Sequence, residues 1–122
     1  MFYFQIADVK VNKYYTRGLR RFNSPAFLEF AQHVEPEVRS LLTSTFSSVV
    51  DVQVVRILST RVRTITLVSF AVLVDKKDEV VETEIEAAMY DGLKNGKLSS
   101  LHATDMQLFN VACEIFSSFS FR

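Results

Sequence analysis

The chain has 122 residues, of which 48% are hydrophobic, and its 14 basic and 14 acidic residues leave no formal net charge. This length predicts one domain, and the lack of a basic excess argues against a nucleic-acid-binding or anionic-membrane surface. No apolar run approaches the roughly 20 residues that span a bilayer, so no direct membrane insertion by this segment is expected.

The first strand is predicted over residues 2–11, where Phe2, Phe4 and Ile6 occupy alternate positions. The alternation changes phase in the middle of this run. A change of phase predicts a β-bulge, here near Asp8.

Residues 12–23 predict a loop with a basic cluster, Arg-Gly-Leu-Arg-Arg, at 17–21. The cluster resembles a minimal proprotein-convertase site. A solvated basic loop is the favoured interpretation, because loose basic clusters are common. The sequence leaves open whether the loop is proteolytically processed.

The first long helix is predicted to begin after Ser24, a suitable N-cap, with Pro25 at the first helical position. Apolar residues then recur at helical spacing as far as Leu42. Pro36 lies inside this pattern and lacks a backbone N–H, so a kink or a break is predicted there. The hydroxyl-rich residues 43–48 are expected to end the helix.

Residues 57–75 form the longest β-prone run, and the rest of the chain can be arranged around it. A strand over 49–58, a short turn at 59–61 and a strand over 62–75 predict an antiparallel hairpin. The second strand is apolar on both alternating sets and contains neither Pro nor Gly. It is therefore predicted to lie at the centre of the sheet.

The two faces of this central strand are expected to differ. One set of side chains is predicted to face the helices: Val68, Phe70 and Val72. The other set forms a candidate interaction face: Ile65, Leu67 and Ala71. Apolar side chains on an open face predict a contact with a protein partner, a neighbouring domain or a second copy of the chain. Screening of this face by long neighbouring side chains remains open.

A second helix is predicted to be capped by Asp78 and to stop at Asn95-Gly96. A last strand is predicted over residues 106–116, followed by a C-terminal tail over 117–122. The order β-α-β-β-α-β predicts an α+β, ferredoxin-like fold in one domain over residues 1–116. In that fold, a four-stranded antiparallel sheet carries both helices on one face.

The sequence predicts no catalytic or metal-binding set. His33 and His102 have no further ligand at metal-binding spacing. Cys113 alternates with apolar residues, which favours a buried small side chain over a reactive thiolate. Three glycines are too few for a phosphate-binding loop, so no cofactor is expected. The central strand also lacks the stacking aromatics of RNA-recognition modules, so no nucleic-acid partner is expected.

Five segments follow one another in a recognisable pattern: FYFQIADVKVNKYY, NSPAFLEFAQHVEPEVRSLLTSTF, VVDVQVVRI, TITLVSFAVLVD and VVETEIEAAMYDGL. Their order and spacing resemble the SEA domain, a module of cell-surface mucins, membrane-anchored serine proteases and matrix proteins. The resemblance covers nearly the whole chain. It implies a ferredoxin-like fold and an extracellular location, in the ectodomain of a membrane-anchored or secreted protein.

Many SEA domains cleave themselves in the central hairpin, between Gly and Ser of a Gly-Ser-Val-Val-Val motif, by an N-to-O acyl shift. Here the corresponding pair is Thr60-Arg61 or Val62-Arg63, depending on the register. Neither pair contains Gly, and neither has a hydroxyl at its second position. The five hairpin positions are therefore degenerate, and the resemblance implies a non-cleaving variant: Ser59, Thr60, Arg61, Val62 and Arg63.

The leading hypothesis is a non-enzymatic SEA-type structural and interaction module of an adhesion or matrix protein. The alternative is a ferredoxin-like regulatory or ligand-binding domain of a larger intracellular protein. The absence of an Asn-x-Ser/Thr glycosylation acceptor from the chain favours this alternative. The sequence names neither the partner nor the parent protein.

Overall fold

An antiparallel sheet of three strands forms the centre of the structure, a computed structural model that describes residues 3–75, 82–101 and 108–115. The strands are β1 (Tyr3–Asn12), β2 (Val49–Ser59) and β3 (Ile65–Val74). β3 lies between β2 and β1, as the apolar pattern predicts for a strand without Pro or Gly. With the helices described below, the fold class is α+β.

The connection between β2 and β3 is longer than predicted. β2 continues to Ser59 and β3 begins only at Ile65, so residues 60–64 form the turn. Residues 62–64 were predicted to belong to the second strand, and this boundary is wrong. Residues 61–64 at the tip are exposed and gain little burial from joining the ladder, whereas the residues from Thr66 onwards are mostly buried.

β1 pairs with β3 along its whole length, from Tyr3 opposite Val74 to Asn12 opposite Ile65. A further strand, β4 (Leu108–Ile115), runs antiparallel along the other edge of β1. β1 pairs with β3 residue for residue through Asp8, so the β-bulge predicted there is wrong. The apolar residues change phase because Ile6 belongs to the smaller cluster on the other face, whereas Ala7, Val9 and Val11 belong to the main core. The register of β1 on β4 does shift between Ala7 and Val9, but the extra residue lies on β4.

The long helix α2 (Pro25–Thr45) begins as predicted, because the side chain of Ser24 accepts a hydrogen bond of 3.2 Å from Phe27 N–H. The helix runs through Pro36 without a break, so the predicted break is wrong. Proline removes one hydrogen bond, but the buried face on both sides of it, including Val34 and Val38, holds the helix against the sheet.

The segment between β1 and α2 is not entirely a loop. It contains one helical turn, α1 (Arg17–Arg20), within the predicted basic cluster. Leu19 anchors this turn in the core, with 3% of its surface exposed. Ser24 Oγ also donates to the carbonyl of Gly18, which ties the turn to the start of α2. Apolar anchoring therefore orders a segment that its charge alone would leave as a loop.

Helix α3 (Glu82–Lys94) packs against α2, and a 3₁₀-helix, Ser99–Leu101, follows it. Gly96 has a positive φ of 75° and ends α3 at the predicted Asn95-Gly96 pair. The proposed cap Asp78 and the tail over 117–122 lie outside the described residues, as do His102 and the start of the last predicted strand.

Both helices contribute to one hydrophobic core on one face of the sheet. The members of that core include the predicted inward set of β3 and buried residues of both helices: Val68, Phe70, Val72, Phe27, Val34, Val38, Ile85 and Met89. Ala7, Val9 and Val11 of β1 join the same cluster. The other face of the sheet carries a separate, smaller cluster, and this difference between the faces positions the candidate site.

Candidate functional site

The outer face of the sheet is the face opposite the helices. Its apolar cluster contains Ile6 and Ala71, with Val55 and Leu73 packed against them. Of the predicted interaction residues, Ala71 is fully buried, whereas Ile65 and Leu67 are half-buried. Ala71 therefore fills the sheet surface itself, and Leu67 and Ile65 offer the accessible apolar area.

A polar trio crosses the middle of this outer face on three adjacent strands. Ser69 lies opposite Asp8 of β1 on one side and opposite Arg56 of β2 on the other. Ser69 Oγ donates to Asp8 Oδ1 and accepts from Arg56 Nε at 3.3 Å. Arg56 Nη2 lies 3.8 Å from Asp8 Oδ1. The trio therefore links β2, β3 and β1 through side chains as well as through the backbone ladder.

Burial divides the roles within the trio. Ser69 is fully buried and Asp8 is 8% exposed, so the carboxylate and hydroxyl are committed to each other. The Arg56 side chain is 53% exposed. Arg56 therefore keeps part of its guanidinium accessible on the same outer face as Leu67 and Val55. A buried polar contact inside an apolar patch is typical of a surface that recognises a protein partner.

The β2–β3 hairpin is held by the hydroxyl of Thr60. This hydroxyl lies 2.8 Å from the carbonyl of Ile65 and 2.9 Å from that of Val62, and it accepts from Val62 N–H at 3.2 Å. A backbone bond of 3.0 Å from Ile65 N–H to the Val62 carbonyl closes the turn. Thr60 is therefore a structural residue of the turn, and its oxygen is already engaged.

The backbone of the hairpin adopts ordinary conformations. Ser59 is the last residue of β2, and Arg61, Val62 and Arg63 are exposed at the tip. Among the described residues, only Asn23 combines a side chain with a positive φ, and no peptide bond is cis. The acyl shift needs a strained bond followed by a hydroxyl nucleophile. The hairpin places two guanidinium groups and a valine at its tip instead.

The outer edge of β2 is closed by charged side chains. Val54 N–H donates to Glu35 Oε1 at 2.8 Å, and the Val52 carbonyl accepts from Arg39 Nη2 at 3.0 Å. Val52 N–H donates to Asp51 Oδ1 at 2.8 Å. An unpaired strand edge is a template for another strand. Here the edge groups of Val52 and Val54 are occupied, so this part of β2 is closed to an added strand.

The three charged groups at this edge also support one another. Arg39 Nε lies 2.6 Å from Asp51 Oδ1, and Arg39 Nη2 lies 3.7 Å from Glu35 Oε2. Burial raises the pKa of Asp51, but hydrogen bonds from Gln53, Arg39 and Val52 and the charge of Arg39 outweigh that effect. The pKa of Asp51 therefore lies below its ordinary value, and the carboxylate stays ionised in the folded protein.

Two open grooves lie on the helical side of the molecule. One is lined by Pro36, Glu37, Ser40, Leu41, Ser44 and Lys97. The other includes Lys13, Tyr14, Phe30 and His33. Within residues 3–75, 82–101 and 108–115, no group of three or more His, Cys, Asp or Glu could hold a metal ion. No helix in the same ranges is long and apolar enough to cross a membrane.

Sequence reasoning missed the polar trio and the closed edge. A weak signal existed for the trio, because Asp8 and Ser69 interrupt two otherwise apolar runs. Glu35 and Arg39 stand four residues apart, which predicts an ion pair on one helix face. Neither signal identifies the partner strand, because the pairing depends on how the strands and α2 come together.

Comparisons of the chain with models of known families and with curated proteins found no match. The resemblance to SEA domains therefore rests on the sequence segments quoted above, and its consequences for function are proposals.

Proposed function

We propose that this chain is a non-enzymatic interaction module of SEA type, whose outer sheet face binds a protein partner. The observation that carries the proposal is the composition of that face. Half-buried Leu67 and Ile65 share this face with a half-exposed side chain, Arg56, which is anchored to buried Asp8 and Ser69. Apolar area with a few oriented polar groups is typical of the centre of a protein interface.

The proposed fold is ferredoxin-like, with β4 as the fourth strand of the sheet. The order of elements along the chain supports it: helices lie between β1 and β2 and between β3 and β4, and β2 is followed directly by β3. The lateral order β2-β3-β1-β4 supports it as well, because β1 and β3 occupy the middle. The resemblance to SEA domains implies the same arrangement.

The proposed module is not self-cleaving and belongs to an adhesion or matrix protein. The unstrained hairpin supports the first part, because Thr60 is engaged within the turn and no nucleophile follows the candidate bonds. The extracellular location rests on the resemblance alone.

The test is saturable binding of the labelled domain to cultured-cell surfaces and to deposited matrix. Leu67→Lys puts a charge into the outer face without disturbing the core on the other face. Tyr90→Lys is the matched control, because Tyr90 is 45% exposed on α3, on the helical side. The expected result is at least a tenfold loss of affinity for Leu67→Lys, about 1.4 kcal/mol, with wild-type affinity for Tyr90→Lys.

Equal binding by wild type and Leu67→Lys would refute the assignment of the outer face. If the wild-type domain showed saturable binding neither to cell surfaces nor to deposited matrix, the adhesion or matrix role would be refuted. Urea unfolding of each variant separates a loss of binding from a loss of folding.

A further inference from the structure

Charge is unevenly distributed along this chain, although the net charge is zero. Residues 9–28 contain five Lys or Arg and no Asp or Glu. Residues 52–74 contain three Arg and again no acidic residue. A net charge describes the whole molecule, whereas binding of a charged ligand depends on the local potential.

The fold brings these two segments to the same end of the sheet. Asn12, at the end of β1, lies opposite Ile65, at the start of β3. Thr66 Oγ1 donates to the carbonyl of Lys13 at 2.6 Å, which fixes the exit of β1 beside the hairpin. The basic residues that follow β1 therefore lie beside those at the tip of the hairpin.

Helix geometry places α1 at this end as well. Glu35 of α2 lies level with Val54, through the 2.8 Å hydrogen bond described above. The ten residues back to Pro25 span about 15 Å, the length of four to five strand residues. The start of α2 is therefore level with the end of β2, and α1 contacts both α2 and β2.

We call this surface the basic end, defined by six residues: Lys13, Arg17, Arg20, Arg21, Arg61 and Arg63. All five arginines are exposed, and within the described ranges none of them forms an ion pair. Lys13 Nζ lies 5.0 Å from the centre of the Phe30 ring, so its stem is held against α2. Glu29 is an exposed carboxylate in the same groove as Lys13.

We propose that the basic end binds a linear sulfated polysaccharide. Arginine dominates the surface, and its planar guanidinium group binds sulfate oxygens through paired hydrogen bonds. The cations are spaced along two separate segments of the chain, which suits an extended ligand with charges at intervals. Such a ligand requires neither a groove nor base stacking.

Other polyanions fit the surface less well. Duplex DNA is usually read by a helix in the major groove, whereas α1 is only four residues long and is packed on α2. Single-stranded nucleic acid needs several stacking platforms in a row. The exposed ring of Tyr14 offers one, but the Phe22 ring, which is 40% exposed, packs edge-on against Phe27 at 5.2 Å. Interfacial membrane binding uses an amphipathic helix with a continuous apolar face, whereas the exposed apolar side chains near the basic end are single residues outside helices and strands: Tyr14, Phe22 and Val62.

The experiment measures binding of the purified chain to immobilised heparin in 0.15 M NaCl. Arg61→Ser/Arg63→Ser removes the hairpin part of the surface, and Arg17→Ser/Arg20→Ser removes the α1 part. The matched control is Lys94→Ser/Lys97→Ser, which removes two exposed cations near the opposite end of α2. The two arginine variants are each expected to lose about tenfold in affinity for heparin and to show a shallower dependence of affinity on salt, while the Lys94→Ser/Lys97→Ser control keeps wild-type affinity.

Three comparison ligands and one outer-face variant sharpen the result. Desulfated heparin is expected to bind at least tenfold more weakly than heparin. Leu67→Ser removes apolar area from the outer face without adding a charge and should bind heparin as the wild type does, so failure of the outer-face proposal is distinguishable from failure here. Absence of heparin binding, or an equal loss in the control, would overturn the proposal. Tighter binding to poly(U) RNA or to phosphatidylserine vesicles would overturn the choice of a polysaccharide.

Discussion

Glu35 offers the sharpest test of how the β2 edge is held. Its carboxylate accepts from Val54 N–H at 2.8 Å, and both residues are buried. Hydrogen bonds to charged groups contribute about 1.5–3 kcal/mol, and leaving a buried donor without its acceptor costs a similar amount. Glu35→Ala is therefore expected to lower the free energy of unfolding by about 2–3 kcal/mol.

Two companion variants isolate the hydrogen bond from the other effects. Glu35→Gln keeps an acceptor oxygen at the same distance along the side chain, so a loss of about 1 kcal/mol or less is expected. Glu29→Ala removes an exposed carboxylate from the same helix and should change the free energy by under about 0.5 kcal/mol. Urea unfolding, followed by circular dichroism, measures all three.

Amide exchange provides a second readout at the site itself. In Glu35→Ala the Val54 amide should exchange faster than in Glu35→Gln, beyond any difference in global stability. The reasoning would be refuted if Glu35→Ala and Glu35→Gln had the same free energy of unfolding, or if Val54 exchange were the same in both.

Three further predictions concern other parts of the molecule. The pKa of Asp51 is lower in the folded protein than in the unfolded chain. The ionised carboxylate therefore stabilises the fold fully above about pH 4, and this stabilisation is lost as pH falls through the folded pKa. Urea unfolding should give Asp51→Asn a lower free energy of unfolding than the wild type at neutral pH and nearly the same value in acid. Ser69→Ala should lower the free energy of unfolding by about 1–3 kcal/mol, because it removes the hydroxyl donor to buried Asp8. The double variant Ser69→Ala/Asp8→Ala should lose less than the sum of the two single losses, and strictly additive losses would contradict the contact. The chain is expected to stay intact through the hairpin during long incubation, and denaturing mass spectrometry that found a cut between Ser59 and Arg63 would contradict this.

The closed β2 edge and the outer face together restrict how a partner can dock. Residues 52–54 of β2 cannot easily accept an added strand, because Glu35, Arg39 and Asp51 occupy their edge groups. A partner of this domain is therefore expected to bind through side chains on the outer face or the basic end.

Short-range signals were sufficient for much of the fold. Ser24 followed by Pro25 predicted the start of α2, and Asn95-Gly96 predicted the end of α3, because capping depends on residues within a few positions. The apolar run of β3 likewise predicted its central position. The break predicted at Pro36 does not occur, because the effect of a proline depends on how firmly the neighbouring helical turns are packed, and the sequence does not state that.

Only the tertiary structure decided the arrangement of the polar and charged groups. Asp8 and Ser69 are 61 residues apart, and Glu35 and Val54 are 19 apart. Apart from the short helix α1 and the residues at the hairpin tip, the sequence by itself determined which segments were helical or extended and which of their faces were apolar. The register of β1 on β3 and the height of α2 along β2 determined which polar groups meet, because those distances follow from packing and not from local propensity.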